Sequence, residues 1–219
     1  MTVTLWHCLD ARSFRPLWAL EEMELDYDLV VLPFPPRAFH KPYFDVNPLG
    51  TVPFLKDGKT SMTESAAMCQ YLADRYAPNL SVASNHPDYG AYLNWLHQSD
   101  ATLTFPQALM LRYGVFEPDE RKQPQVAGDY RAWYLARLRW LDQHIDGREW
   151  LVADRFTVAD IAVGYALYLG EFTGAASDYA PQTRAYLDRL KDRDGFKRAQ
   201  SRQAEANTSG AGSALPSPG

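Results

Sequence analysis

Residues 47–55 read NPLGTVPFL, and residues 57–76 read DGKTSMTESAAMCQYLADRY. Val52–Leu55 and Thr60–Met62 are short runs of strand-forming residues on either side of an Asp-Gly pair, a pattern that predicts a β-hairpin. Ser65–Tyr76 places its apolar side chains at helical spacing. This stretch therefore predicts two antiparallel strands followed by a helix.

Upstream of this stretch, strand and helix signals alternate. Thr2–His7 and Tyr27–Leu32 are predicted strands, and Ser13–Met23 is a predicted helix with a proline near its first turn. Phe34–Asn47 contains three prolines and is predicted to be a loop. The order β-α-β-loop-β-β-α predicts a thioredoxin-like domain over residues 1–77.

The second half of the chain reads differently. Residues 78–87 are polar and bounded by prolines, which predicts a linker. Residues 88–205 carry apolar side chains at helical spacing, and a bend is expected near Pro106. The predicted fold class is thus α/β plus all-α, and the small polar residues of 206–219 predict a disordered tail.

Composition excludes several classes of protein. The 219 residues contain 22 Lys and Arg against 27 Asp and Glu, a net charge of −5 that argues against general nucleic-acid binding. Two cysteines are too few for a disulfide framework, and no apolar run reaches the ~20 residues of a membrane span. The first residues lack the pattern of a signal peptide. We expect a cytoplasmic protein without membrane association.

Taken with FTVADIAVG at 156–164, the opening stretch resembles the cytosolic glutathione transferase superfamily, particularly its bacterial members, over residues 3–200. The resemblance implies a thioredoxin-like domain, an all-helical domain, and glutathione as co-substrate without a metal. It implies transfer of the glutathione thiolate to a small hydrophobic electrophile, and a homodimer. A glutathione-dependent isomerase, lyase, peroxidase or thiol-exchange enzyme is an alternative, as is a non-enzymatic adaptor.

The resemblance assigns glutathione-binding roles to several residues. It implies a cis peptide bond between Val52 and Pro53, which exposes the Val52 backbone to the cysteinyl unit of glutathione; a proline at a strand edge is the alternative. Glu64 and Ser65 would bind the γ-glutamyl end, with Ser65 as the N-cap of a helix. His40 or Lys41 would bind the glycyl carboxylate, unless this loop is merely solvated.

The group that activates sulfur is less clearly defined. In the register that the resemblance gives, Ala11 stands where many members have a catalytic serine. The predicted catalytic residues are Ser13 and Arg12. Ser13 is interpreted either as a hydrogen-bond donor to sulfur or only as a helix cap, and Arg12 would supply a positive charge. Cys8 is interpreted either as a reactive thiol or as a small packed side chain.

Two further assignments concern the helical half. A pocket for an apolar electrophile is predicted in this half, lined by Phe105, Met110, Arg112 and Tyr113. The alternative is that these side chains pack in the hydrophobic core. Thr157 and Asp160 have the spacing of a capping box, so we predict that they stabilise a buried helix without touching substrate.

Overall fold

The computed structural model describes residues 2–208, 210, 212, 213, 215 and 216. The chain divides into two compact units. The first contains residues 2–81 and the segment Lys191–Leu215, and the second contains Val82–Leu190 and Pro216. The predicted tail at 206–219 lies partly outside the described residues.

The first unit is built on a single sheet. Within the described residues it has four strands, β1 (Val3–His7), β2 (Tyr27–Val31), β3 (Phe54–Asp57) and β4 (Thr60–Met62), in the spatial order β2-β1-β3-β4. β1 pairs parallel with β2 and antiparallel with β3, and β3 pairs antiparallel with β4. The hairpin predicted from Asp-Gly is therefore present, with Gly58 at φ +59° in its turn.

Helices α1 (Phe14–Glu22) and α3 (Ser65–Tyr76) belong to the same unit and pack against each other. This arrangement is the thioredoxin-like half that the sequence predicts. The expected loop at 34–47 contains a short helix α2 (Pro36–Phe39) and a 3₁₀ turn (Lys41–Asp45), and a second cis peptide bond joins Phe34 to Pro35.

The last helix, α9 (Asp194–Glu205), packs on α1. Phe196 meets the rings of Phe14 and Trp18 edge-on, with ring centroids 5.2 and 5.0 Å away. Arg193, just before α9, forms a bidentate ion pair with Glu22 at 2.7 and 2.8 Å. These contacts join α9 to α1, and α9 belongs to the first unit. The sequence prediction assigns the same residues to the helical domain at 88–205. The predicted linker and domain limits stay predictions.

The second unit is helical throughout its regular elements. It contains α4 (Tyr89–Gln98), α5 (Phe105–Leu111), α6 (Pro124–Ile145), α7 (Val158–Phe172) and α8 (Pro181–Lys191, whose last residue falls in the first unit). A π-helical turn at Ser99–Thr104 separates α4 from α5, and a second one at Arg112–Phe116 follows α5. Pro106 lacks the N–H that would continue a regular ladder, which accounts for the irregularity before α5.

The capping box predicted at Thr157 and Asp160 is present at the start of α7. The backbone N–H of Thr157 donates to Asp160 Oδ2 at 2.8 Å, and Ala159 N donates to Thr157 Oγ1 at 3.3 Å. Because α7 is almost completely buried, the N–H groups of its first turn, which have no acceptor within the helix, need partners such as these side chains. Within the described residues, no helix is both long and apolar enough to cross a bilayer.

Candidate functional site

The loop before β3 has a backbone shape set by two buried side chains. Asn47 Nδ2 and the Tyr43 hydroxyl both donate to the carbonyl oxygen of Thr51 at 2.8 Å. Asn47 Oδ1 in turn accepts from Leu49 N at 3.1 Å. The next peptide bond, between Val52 and Pro53, is cis, as the resemblance implied.

This corner shares a hydrophobic cluster with the turn between β1 and α1. The buried members of the cluster are Cys8, Ala11, Leu32, Tyr43 and Phe54, and half-buried Val52 packs against them. Val52 and Ala11 therefore contribute to one hydrophobic cluster. The loop proposed to bind glutathione and the turn proposed to activate its sulfur thus pack in the same cluster.

The start of α3 differs by one residue from the prediction. Glu64 occupies the N-cap position and is exposed, while Ser65 is the first helical residue and is buried. Ser65 therefore does not cap α3. Its Oγ instead accepts a hydrogen bond from Nη1 of the fully buried Arg15 at 2.9 Å. The hydroxyl proton then remains for an acceptor at the positive end of α3.

Ser13 occupies the N-cap position of α1, but its hydroxyl makes no capping bond. Ser13 Oγ accepts from Cys8 N at 3.2 Å and donates to Cys8 O at 3.3 Å, and the side chain is fully buried. Its hydroxyl closes the turn at the end of β1. This geometry does not support the predicted donation from Ser13 to sulfur, because the proton is already directed at a backbone carbonyl.

The turn itself carries a backbone feature that the sequence did not reveal. Ala11 N donates to Cys8 O at 3.1 Å, and Asp10 has φ +57°. Left-handed backbone is uncommon outside glycine, although Asp tolerates it better than most residues. Arg12, two residues after Asp10, is half-buried and is the one cationic residue between positions 8 and 13.

Neither cysteine has the character of a nucleophile. Cys8 and Cys69 are both fully buried. Burial raises the pKa of each thiol to about 12, and the charge of Arg15 offsets only part of the effect at Cys69. Since the thiolate is the reactive form, a thiol with such a pKa stays protonated and inert at neutral pH. Cys8 is thus a packed side chain.

The loop that carries His40 is open. His40 and Lys41 are both exposed, and Lys41 Nζ donates to Arg37 O at 3.0 Å. Lys41 also lies 5.9 Å from the ring of Phe44. His40 is therefore the more available of the two side chains for a carboxylate, and its role stays a prediction.

In the second unit, the four residues predicted to form a pocket differ in exposure. Phe105 is 52% exposed and meets Tyr130 edge-on, whereas Met110 is buried with the core. Arg112 forms an ion pair with Glu117 at 3.1 Å and lies over the ring of half-buried Tyr113. Arg112 thus already has an acidic partner, and a role toward substrate stays a prediction.

Among the residues that the structure describes, no cluster of three His, Cys, Asp or Glu side chains could hold a metal ion. Sequence reasoning overlooked three contributors to the candidate site: Asn47, Tyr43 and the pairing of Arg15 with Ser65. Asn47 precedes a proline in a turn-rich segment, which was a local signal for its role. Arg15 and Ser65 are 50 residues apart, and no local pattern indicated that they meet.

Comparison with known proteins agrees with this geometry. The model of the glutathione S-transferase N-terminal domain matches residues 11–75, and that of the C-terminal domain matches residues 106–194. Glutathione S-transferase 1 of Schizosaccharomyces pombe is 30% identical over 73% of this chain and 72% of its own length. Glutathione S-transferase 3 of the same yeast is 24% identical over 82% and 77%.

Among solved structures, the glutathione transferase URE2P6 of Phanerochaete chrysosporium, in complex with oxidized glutathione, superimposes with a TM-score of 0.82. It is 26% identical and matches over 94% of this chain and 98% of its own. The chain belongs to the glutathione S-transferase family, as the resemblance had implied.

Proposed function

We propose that this protein binds glutathione in its first unit and transfers the glutathione thiolate to a small apolar or aromatic electrophile. The observation that carries the proposal is the hydrogen bond from buried Arg15 to Ser65 Oγ, which places an oriented hydroxyl at the start of α3. A helix start with an added hydroxyl donor suits a carboxylate ligand. The related protein URE2P6 has been crystallised with oxidized glutathione.

Each end of glutathione has a proposed partner. The Val52 backbone beside the cis bond to Pro53 pairs with the extended cysteinyl unit, in the manner of an added strand. Ser65 and the α3 N-terminus hold the γ-glutamyl carboxylate, and exposed Glu64 takes the ammonium group. His40 binds the glycyl carboxylate from its open loop.

Activation of the sulfur is assigned to Arg12 and the N-terminus of α1. A free thiol has a pKa of about 8.5, so lowering it by two units requires about 2.7 kcal/mol of preference for the anion. With the Ser13 hydroxyl turned to Cys8, the positive groups of this turn are the Arg12 guanidinium and the first N–H groups of α1. Catalysis is then mainly positioning and anion stabilisation.

The electrophile is assigned to the second unit. Phe105 and Tyr113 are the more accessible of the predicted apolar contacts, and Arg112 would meet an acidic group only by leaving Glu117. We further propose a cytoplasmic homodimer with a role in detoxification. These finer points rest on the resemblance.

The decisive experiment combines binding and chemistry. Purified protein is applied to glutathione-agarose, and the thiolate absorbance of bound glutathione is titrated against pH. Conjugation is then assayed with aromatic halides and enones, and peroxide reduction is assayed separately. We expect retention on the resin, a thiol pKa about two units below that of free glutathione, and conjugation of at least one electrophile class.

Variants separate the proposed roles. Arg12→Gln should raise the pKa of the bound thiol, whereas Lys59→Gln, at an exposed position of the β-hairpin, should leave it unchanged. No retention on glutathione-agarose would favour the non-enzymatic adaptor. Retention with turnover of peroxides or thiol esters, but of no halide or enone, would assign the protein to another glutathione-dependent reaction.

A further inference from the structure

The inner face of α9 carries a polar residue where an apolar one would be expected. Phe196, Ala199 and Gln203 are buried at spacings of i, i+3 and i+7, while Ser201 and Glu205 are exposed. A buried amide is costly unless its groups are hydrogen-bonded. Gln203 therefore requires a structural reason that simple packing on α1 does not supply.

The reason lies in the turn after β1. Gln203 Oε1 accepts from the backbone N–H of Asp10 at 3.1 Å, and Gln203 Nε2 donates to Asp10 Oδ1 at 2.9 Å. The amide thus holds both the main chain and the side chain of the same residue. This residue lies 193 positions away in the sequence and has the left-handed backbone at φ +57°.

The same two bonds determine the orientation of the amide. Exchanging its oxygen and nitrogen would place an NH₂ group against the Asp10 N–H and an oxygen against a carboxyl oxygen. Gln203 Oε1 therefore also faces His7 Nε2, at 3.0 Å, so that the Nε2 of buried His7 carries the proton and donates. Strand end, turn and last helix form one hydrogen-bonded network.

The segment that this network holds leads directly into Ala11, Arg12 and the start of α1. Asp10 is not restricted to left-handed backbone, because the ordinary β and α regions are lower in energy for a residue with a Cβ. The bonds from Gln203 add contacts from outside the turn that favour the observed conformation. α9 is suited to this role, because Phe196 and Arg193 fix its other end to α1.

We propose that Gln203 is a positioning residue for thiol activation: it holds the Asp10 turn so that Arg12 and the N-terminus of α1 are directed at the glutathione sulfur. The inference rests on the proposed function and adds a contribution from the last helix. Stabilisation of an anion depends steeply on the placement of the positive groups, so a small displacement of this turn weakens it. Binding of the peptide through Val52 and Ser65 does not involve Gln203.

The test is Gln203→Leu, which keeps the volume and apolar packing but removes the amide. We expect the pKa of the bound glutathione thiol to rise by about one unit. kcat should then fall about threefold at pH 7 and recover as pH increases. The affinity for S-methylglutathione, which has no thiol, should change less than about twofold, since that ligand tests only peptide binding. Ser201→Ala, on the exposed face of α9, is the matched control.

A folded Gln203→Leu protein with an unchanged thiol pKa and pH profile would overturn the inference. So would an equal loss of S-methylglutathione affinity and of kcat, because that result indicates a general structural role. If Gln203→Leu does not fold, Gln203→Glu serves instead: it keeps an oxygen for Asp10 N–H, places a carboxylate against Asp10, and should shift the thiol pKa in the same direction. A wild-type protein that does not bind S-methylglutathione would instead overturn the proposed function itself.

Discussion

Replacing Asp160 by alanine tests how the second unit is held together. The Asp160 carboxylate is fully buried and accepts four hydrogen bonds. They come from Thr157 N at 2.8 Å and Thr157 Oγ1 at 3.0 Å, from Leu151 N at 3.0 Å, and from the Tyr186 hydroxyl at 2.7 Å. The last two bonds tie α7 to the preceding loop and to α8, beyond the capping box predicted from sequence.

The expected loss follows from these contacts. A helix cap alone contributes about 1–2 kcal/mol. Alanine also leaves the buried donors of Leu151 and Tyr186 unsatisfied, and each unsatisfied donor costs about 1–3 kcal/mol. We therefore expect Asp160→Ala to lower the free energy of unfolding by at least about 3 kcal/mol.

Urea denaturation at neutral pH, with amide hydrogen exchange of α7 as a local readout, measures this loss. Tyr186→Phe removes a single donor and should cost about 0.5–1.5 kcal/mol. The exposed Asp188→Ala is the control and should stay within about 0.5 kcal/mol of wild type. If Asp160→Ala were no more destabilising than Asp188→Ala, the assignment of this network as a determinant of stability would be refuted.

Three more predictions concern single side chains. Ser65→Ala should weaken glutathione binding about tenfold by calorimetry, the equivalent of one hydrogen bond to a charged group, while exposed Ser61→Ala should bind normally; equal affinities would exclude Ser65 from the site. Burial lowers the pKa of His7 to about 4, and the unfolded value is about 6.5, so the unfolded chain binds the proton first on acidification. Protonation of His7 in the unfolded chain should therefore lower the free energy of unfolding by about 3 kcal/mol as pH falls from 6.5 to 4. Urea denaturation of His7→Gln over the same pH range should not show this loss. Gly170→Ala would place a Cβ 1.8 Å from the Tyr179 hydroxyl oxygen and should destabilise by about 1–3 kcal/mol, with partial recovery when Tyr179→Phe is added; a neutral Gly170→Ala in thermal melts would contradict this contact.

Local patterns predicted the elements of the fold well. The hairpin around Gly58, the helix at 65–76 and the capping box at Thr157 all follow from interactions within a few residues of one another. The interruption of the helix after residue 98 was anticipated only as a bend near Pro106. Hydrogen-bond patterns of this kind depend on how neighbouring turns pack, which residue spacing does not encode.

The sequence predicted which residues form the candidate site, and the structure added local geometry that the sequence did not indicate. The stretch at 47–76 and its resemblance indicated Val52, Pro53 and Ser65. They could not indicate that Ser65 is the first residue of α3 and accepts a hydrogen bond from Arg15. Nor could they indicate that the Ser13 hydroxyl donates to the carbonyl oxygen of Cys8. A hydroxyl has several partners within reach, and burial by other segments selects among them.

By itself, the sequence determined the thioredoxin-like order of elements and the helical second half, because hydrophobic period, turn residues and caps act over short distances. The family followed from the resemblance of its motifs at 47–76 and 156–164. Only the tertiary structure decided that both cysteine side chains are buried and that α9 packs on α1. It also decided that Gln203 holds Asp10 and His7, which lie 193 and 196 residues away. Such contacts form when distant segments lose water together, so their partners are set by packing and not by any local pattern.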